Sequence, residues 1–185
     1  MNGHLSFFGR EFLFEPSQMQ FINPALVMIL IPLLASVVYP RLSKWGLEPT
    51  PLRRMVAGMA IAAISWVAAG LVQQALDAKE SLSILWQLGP YVLLTTAEVL
   101  VSTTGLEFAY SQAPVEMKST LMSFWLLTTA IGNLFVARAS TLLTVTGAPL
   151  FFLYAGFAAL ATVALALIAR SYVVVDHYRP SQQQV

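Results

Sequence analysis

The sequence has no cysteine and little charge. Its 185 residues include 2 histidines, and only 10% are charged, against roughly a quarter in an ordinary soluble domain. The lack of cysteine excludes thiol catalysis, disulfide bonds and cysteine-bound zinc or iron–sulfur centres in this sequence. A net charge of +1 provides no strongly basic surface for nucleic acid. We therefore expect no nucleic-acid partner.

The residues that most enzymes use are also scarce. His4 and His177 lie outside the apolar runs and have no metal-ligand spacing to a carboxylate. Gly105 and Gly132 stand alone and match no phosphate-binding glycine loop. No nucleophile within the apolar runs has an obvious partner base. We predict no metal, no organic cofactor and no enzymatic activity, and a membrane-embedded enzyme is the weakest interpretation.

Apolar residues make up 57% of the chain and occur in long runs. A run of about 20 apolar residues can cross a bilayer as a helix, because a helix satisfies its backbone polar groups internally. The sequence therefore predicts an all-α membrane protein with about five transmembrane helices. The predicted spans are residues 19–39, 55–76, 85–111, 117–143 and 150–169, which divide the chain into a segment 1–18, a transmembrane region 19–170 and a tail 171–185.

The positions of lysine and arginine predict the orientation. Short loops rich in these residues stay in the cytoplasm. Seven of the 10 basic residues lie on the side that includes the chain's C-terminus, namely Arg41, Lys44, Arg53, Arg54, Lys118, Arg170 and Arg179. We expect a multi-pass protein of the bacterial inner (plasma) membrane with its C-terminus inside and residues 1–18 outside, and this N-terminal location suggests that the sequence normally continues upstream.

Glu98 is the residue most indicative of function. A carboxylate in the middle of a span costs several kcal/mol unless it faces a cavity, a partner or a proton. Ser102 and Gly105 follow at helical spacings of four and seven, which predicts one face with a carboxylate, a hydroxyl and exposed backbone. This face can bind a polar substrate. The alternative is a protonated Glu98 that is hydrogen-bonded between helices for structure alone.

Two further side chains are candidates for the same site. Trp125 shares a predicted helical stripe with Thr129 and Asn133 and can form a pocket wall, or it can anchor the helix at the membrane interface. Asn23 can bond a substrate amide, because both groups pair a donor with an acceptor. Its position before Pro24 is equally typical of a helix cap.

These segments resemble a known family. The run from Glu98 to Pro114, EVLVSTTGLEFAYSQAP, followed by Met117-Lys-Ser, Trp125-Leu-Leu-Thr and Gly132-Asn133, is similar to the tenth and eleventh helices of proton-dependent oligopeptide transporters of the major facilitator superfamily. Gln18-Met-Gln with Asn23-Pro24 and Tyr39-Pro40 resembles the eighth helix. The remaining spans fit the ninth and twelfth helices more loosely, so the resemblance covers nearly the whole chain.

The resemblance implies specific roles. Glu98 would receive the amino terminus of a di- or tripeptide and take part in proton coupling, with Ser102 beside it. Trp125 would line side-chain pockets and Asn23 would contact the peptide backbone. The coupling ion would be the proton.

The resemblance also implies a missing partner. The family's N-terminal helical bundle, whose basic residues are implied to bind the peptide carboxylate, has no counterpart in this sequence. We therefore expect the C-terminal half-site of a peptide symporter, inactive on its own. The alternative is a small membrane scaffold or assembly protein that uses its helices only for packing.

Overall fold

The fold consists almost entirely of helices. The structure is a computed structural model that describes residues 4–7, 10–13, 19–46, 48–78, 82–142 and 145–172. Two short strands, β1 and β2, precede the helices, and their register pairs His4 with Leu13 and Phe7 with Arg10. The elements are β1 (His4–Phe7), β2 (Arg10–Leu13), α1 (Met19–Leu33), α2 (Tyr39–Lys44), α3 (Pro51–Asp77), α4 (Leu88–Glu98), α5 (Thr104–Gln112), α6 (Lys118–Leu142) and α7 (Ala148–Ser171).

Within these described residues, 5 helical segments are long and apolar enough to cross a bilayer. They are Ile22–Lys44, Pro51–Asp77, Ile84–Gln112, Lys118–Ala139 and Ala148–Ser171. Large apolar side chains cover their outer faces, and Met28 and Leu160 are 77% and 69% exposed. Lipid is the solvent in which such surfaces are stable. The prediction of an all-α membrane protein with five spans is confirmed.

Two of these spans contain a π-helical turn. The first turn, Leu34–Val38, joins α1 to α2, and the second, Val99–Thr103, joins α4 to α5. The first follows Pro32, which has no N–H to donate to the preceding turn. The helix nevertheless continues, and the Ser36 hydroxyl donates to the Pro32 carbonyl over 2.6 Å. The two π turns meet in the core, where Leu34 packs with Val99 and Leu100.

Helix α3 is the centre of the bundle and contacts α4, α5 and α7. Small residues allow these approaches. A Cβ atom on Gly58 would lie 2.9 Å from Leu100 Cβ, and one on Gly70 would lie 3.0 Å from the Phe152 ring. The buried Ser65 hydroxyl donates to the Pro90 carbonyl over 2.7 Å. At these positions α3 therefore packs with its backbone close to the neighbouring helices.

Asp77 fastens the start of α7 to the end of α3. Its Oδ2 accepts the Ala148 N–H over 3.2 Å, and its Oδ1 accepts from Gln73 over 2.8 Å. Gly147 has a φ of 72°, and a Cβ there would lie 2.8 Å from Asp77 Oδ2. The carboxylate also interacts favourably with the positive end of the helix dipole. Asp77 thus caps a helix that starts 71 residues later in the chain.

We expect Asp77→Ala to destabilise the bundle by about 0.5–2 kcal/mol, as for loss of other helix caps. Thermal unfolding in detergent, followed by tryptophan fluorescence, measures this. Asp77→Asn is the matched control, because it keeps an acceptor oxygen and loses only the charge, so its effect is smaller. Equal unfolding temperatures for Asp77→Ala and the unmodified chain would contradict the capping role.

Candidate functional site

Glu98 lies on an accessible face between buried neighbours. It is the last residue of α4, directly before the second π turn. Ala97, Val99 and Leu100 are only 2%, 4% and 6% exposed, whereas Glu98 and Ser102 are both exposed. Ala97, Val99 and Leu100 pack against neighbouring spans, whereas the side chains of Glu98 and Ser102 stay accessible. The structure therefore places Glu98 and Ser102 on one accessible polar face.

Asn23 brings α1 to the same carboxylate. Its side-chain Nδ2 donates to Glu98 Oε2 over 3.4 Å, which is long compared with the roughly 2.9 Å typical of N–H···O bonds. Its Oδ1 is buried and accepts no hydrogen bond from the described residues. Because α1 begins at Met19, Asn23 lies inside the helix, so the alternative of a helix cap is wrong. Glu98 and Asn23 are adjacent although they are 75 residues apart in sequence.

Gly105 does not share the face of Glu98, contrary to the sequence prediction. A Cβ on Gly105 would lie 2.7 Å from Cη2 of Trp125 and 3.3 Å from the Met55 methyl group, so its backbone is covered rather than exposed. The cause is the second π turn, which contains about one residue more than an α-helical turn. Positions beyond it are therefore rotated by roughly 100° relative to a continuous α-helix.

Trp125 belongs to the contact between α6 and α5. Its ring packs on Gly105 and remains half-buried. Thr128 and Thr129 donate their hydroxyls to the Trp125 carbonyl, over 2.7 Å and 3.3 Å, so the neighbouring threonines are satisfied within their own helix. Asn133, on the same stripe, is exposed. The role of Trp125 as a pocket wall remains a prediction.

The threonines of the third span also bond within their own helix. Thr95 and Thr96 donate to the carbonyls of Tyr91 and Val92 over 3.0 Å and 2.8 Å, and Thr103 donates to the Val99 carbonyl. Threonine commonly satisfies its hydroxyl in this way inside membranes. These threonine hydroxyls already donate hydrogen bonds, whereas Glu98 and Ser102 are exposed polar residues of the same part of the helix.

A cavity of about 390 Å³ extends from the second π turn along α1 and α5. Its lining includes Thr103, Thr104, Tyr39, Arg54 and Glu107. Its walls therefore carry a guanidinium and a second carboxylate in addition to hydroxyls. Arg54 and Glu107 were not among the predicted site residues, since a charged residue near the end of a span usually has an interfacial position.

The described residues thus define a multi-pass helical membrane protein with an accessible carboxylate and hydroxyl in the interior of one span and an amide beside the carboxylate. The sequence profile of the POT family matches residues 4–167. The match covers far more than half of the 185 residues, and the chain belongs to the POT family.

Individual relatives agree with this assignment. The chain is 66% identical over 55 residues to solute carrier family 15 member 2 of Rattus norvegicus, a match that covers 30% of this chain and 8% of the relative. Among solved structures, an auto-inhibited POT family peptide transporter superposes with a TM-score of 0.85 at 47% identity, covering 97% of this chain and 37% of that one. A POT family transporter in complex with a thioalcohol-conjugated peptide has a TM-score of 0.70 at 25% identity, covering 90% and 34%.

The chain therefore spans little more than a third of these solved transporters. The resemblance found in the sequence is confirmed.

Proposed function

We propose that this chain contributes one wall of the substrate site of a proton-coupled di- and tripeptide symporter. The observation that carries the proposal is the Glu98 carboxylate, which is exposed in the interior of a span and has only a long hydrogen bond from Asn23. Membership of the POT family and the likeness to a family member in complex with a conjugated peptide support a peptide substrate.

The amino terminus of a peptide fits this carboxylate chemically. An ammonium group donates three hydrogen bonds and carries the charge opposite to that of Glu98. A charge-assisted bond of this kind is shorter and roughly twice as strong as a neutral one. The ammonium therefore replaces the weak Asn23 contact at Oε2, and the freed amide and the Ser102 hydroxyl are available to the peptide backbone.

Proton coupling follows from the same group. Protonation of Glu98 removes the charge that attracts the ammonium and turns one carboxylate oxygen into a donor. The Asn23 side chain carries both a donor and an acceptor. A half-turn of its amide presents Oδ1, which has no partner among the described residues, to the protonated acid. We propose that protonation of Glu98 releases the peptide ammonium after transport, and that the Asn23 amide partners the carboxyl group whenever it is free of peptide.

Alternating access needs two helical bundles that move about a central site. We therefore propose that the chain transports only together with a further bundle, which supplies the groups for the peptide carboxylate. We also propose that it resides in the inner (plasma) membrane with its basic loops and C-terminus in the cytoplasm, as the distribution of lysine and arginine indicates.

Uptake into proteoliposomes tests the proposal. The chain is reconstituted alone and with a separately produced N-terminal part of a POT relative, and uptake of labelled dialanine is measured with the vesicle exterior more acidic. We expect uptake only for the pair, and only while the proton gradient persists. Uptake that is indifferent to a protonophore would contradict proton coupling, and robust uptake by the chain alone would contradict the need for a second bundle.

A further inference from the structure

A larger cavity opens beside the loop between α2 and α3. It shares Leu34, Tyr39 and Arg54 with the first cavity, and Glu98 lines neither of them. Its volume is about 640 Å³, which is within the range of small-molecule sites. Most of its wall is apolar and comes from the first π turn, α2, α3 and the second π turn, with Leu34, Leu42, Ala57, Ile61 and Leu100 as examples. Such a surface suits a hydrocarbon chain.

Two arginines line this cavity. The Arg54 guanidinium lies 4.0 Å above the centre of the Tyr39 ring, and its Nε donates to the Pro49 carbonyl over 2.7 Å. Arg53 Nη1 donates to the Glu48 carbonyl over 3.2 Å. Both guanidinium groups are therefore oriented by protein contacts, while neither is paired with a carboxylate of the described residues. The other N–H groups of each are available for a ligand.

The surroundings favour an anion. Between positions 40 and 54 the basic residues are Arg41, Lys44, Arg53 and Arg54, and Glu48 is the acidic one. Glu48 lines the cavity but its side chain is exposed to solvent. Trp45, at the end of α2, is 76% exposed, as is typical of tryptophan at the level of lipid headgroups. The cavity therefore lies where the hydrocarbon region meets the headgroups and carries an excess of positive charge.

We propose that this cavity binds an anionic phospholipid, with its phosphate on Arg53 and Arg54 and one acyl chain along the apolar wall. Arginine recognises phosphate through paired N–H groups in a fixed plane, and basic pockets between membrane helices are sites of acidic headgroups. Free phosphate would satisfy the arginines but would leave the apolar wall empty. The lipid satisfies both, and its position against the first π turn, α3 and α4 connects the first three spans at this end of the bundle.

Lipid-dependent thermal unfolding of the purified chain in detergent tests the proposal. Titrations are made with phosphatidylglycerol, phosphatidylcholine and inorganic phosphate. We expect phosphatidylglycerol to raise the unfolding temperature with saturation, and the other two to have little effect. An equal response to inorganic phosphate would show a site for a free anion. An equal response to phosphatidylcholine would show that binding does not depend on the charge of the headgroup. Either result overturns the proposal.

Paired variants locate the effect. Arg53→Gln with Arg54→Gln should weaken the apparent affinity for phosphatidylglycerol by about tenfold or more, since charge-assisted bonds to phosphate are lost. Arg41→Gln with Lys44→Gln removes the same charge from α2, outside the cavity lining, and should leave most of the affinity intact. Equal losses in both pairs would indicate diffuse surface charge and overturn the site.

Ala57→Leu provides an independent test because it leaves every charge in place. Ala57 lines the cavity, so the larger side chain occupies space assigned to the acyl chain and should also weaken the response to phosphatidylglycerol. If the double-arginine variant fails to fold, native mass spectrometry of the unmodified chain and of Ala57→Leu decides. We expect phosphatidylglycerol to be retained by the first and largely lost from the second, and equal retention would overturn the proposal.

Discussion

Glu98→Gln should abolish proton-driven peptide uptake by the paired transporter and weaken dipeptide binding by about 10- to 100-fold. The reason is that a hydrogen bond to a charged group contributes about 1.5–3 kcal/mol, and glutamine keeps the shape of the side chain while losing both the charge and the exchangeable proton. Binding of labelled dialanine to the reconstituted pair measures the loss of affinity, and proton-driven uptake measures the loss of transport.

Glu116→Gln is the matched control for this change. Glu116 is an exposed carboxylate in the short connection between α5 and α6, outside the membrane spans. The Glu116→Gln variant should bind dialanine and take it up as the unmodified pair does. Unchanged uptake by Glu98→Gln would contradict the symporter proposal and favour the alternative of a scaffold, because a protein that uses its helices only for packing gains nothing from a charge on an accessible face.

Gly58→Ala should destabilise the bundle by about 1–3 kcal/mol, the usual cost of overpacking a close contact. The added Cβ would lie 2.8 Å from Val101 Cγ2, 2.9 Å from Leu100 Cβ and 3.1 Å from the Ala97 carbonyl oxygen. Two of these three atoms belong to the backbone or are fixed to it, so α3 must move away from α4. Thermal unfolding in detergent and the yield of monodisperse protein measure the effect.

Gly132→Ala separates overpacking from helix propensity. Gly132 lies within α6, and a Cβ there would meet no described atom within 4 Å. Alanine is a better helix former than glycine by about 0.8–1 kcal/mol, so this control should be neutral or slightly stabilising. If both substitutions had the same effect, the close approach of α3 and α4 at Gly58 would not be what holds these helices together.

Gly58→Ala also tests the function indirectly. Ala97, Leu100 and Val101 flank Glu98, and their contacts with α3 set the direction in which the carboxylate points. A shift of α4 away from α3 should therefore lower dipeptide affinity in the protein that still folds. A variant that folds less stably but binds dialanine normally would show that the orientation of Glu98 does not depend on this contact.

Much of the architecture could be predicted from the sequence. Runs of apolar residues determine helices in lipid because the backbone has no other partner there. Glu98 could be identified as a candidate from the sequence, because a carboxylate inside a span is costly unless it faces a cavity, a partner or a proton. The family resemblance, which the POT family match confirms, was carried by the run from Glu98 to Pro114.

The details of the site depended on contacts that sequence spacing does not show. The π turn at Val99–Thr103 rotates Gly105 towards Trp125, and α-helical spacing has no means of predicting the extra residue. The approach of Asn23 to Glu98 joins positions 75 residues apart, which depends on how α1 packs against α4. Likewise, the cavity at Arg53 and Arg54 forms only when three spans meet, and the sequence used these arginines only to predict the orientation.

The central claim is that the face of Glu98 and Ser102 is lined by water and occupied by the peptide. The sequence has no cysteine, so Ser102→Cys provides a single thiol one turn from an intact Glu98. In the reconstituted pair, a charged, membrane-impermeant thiol reagent should label Ser102→Cys, dialanine should slow the labelling, and Leu160→Cys on the apolar outer face of α7 should remain unlabelled. An unreactive Ser102→Cys, or labelling that dialanine leaves unchanged, would contradict the account.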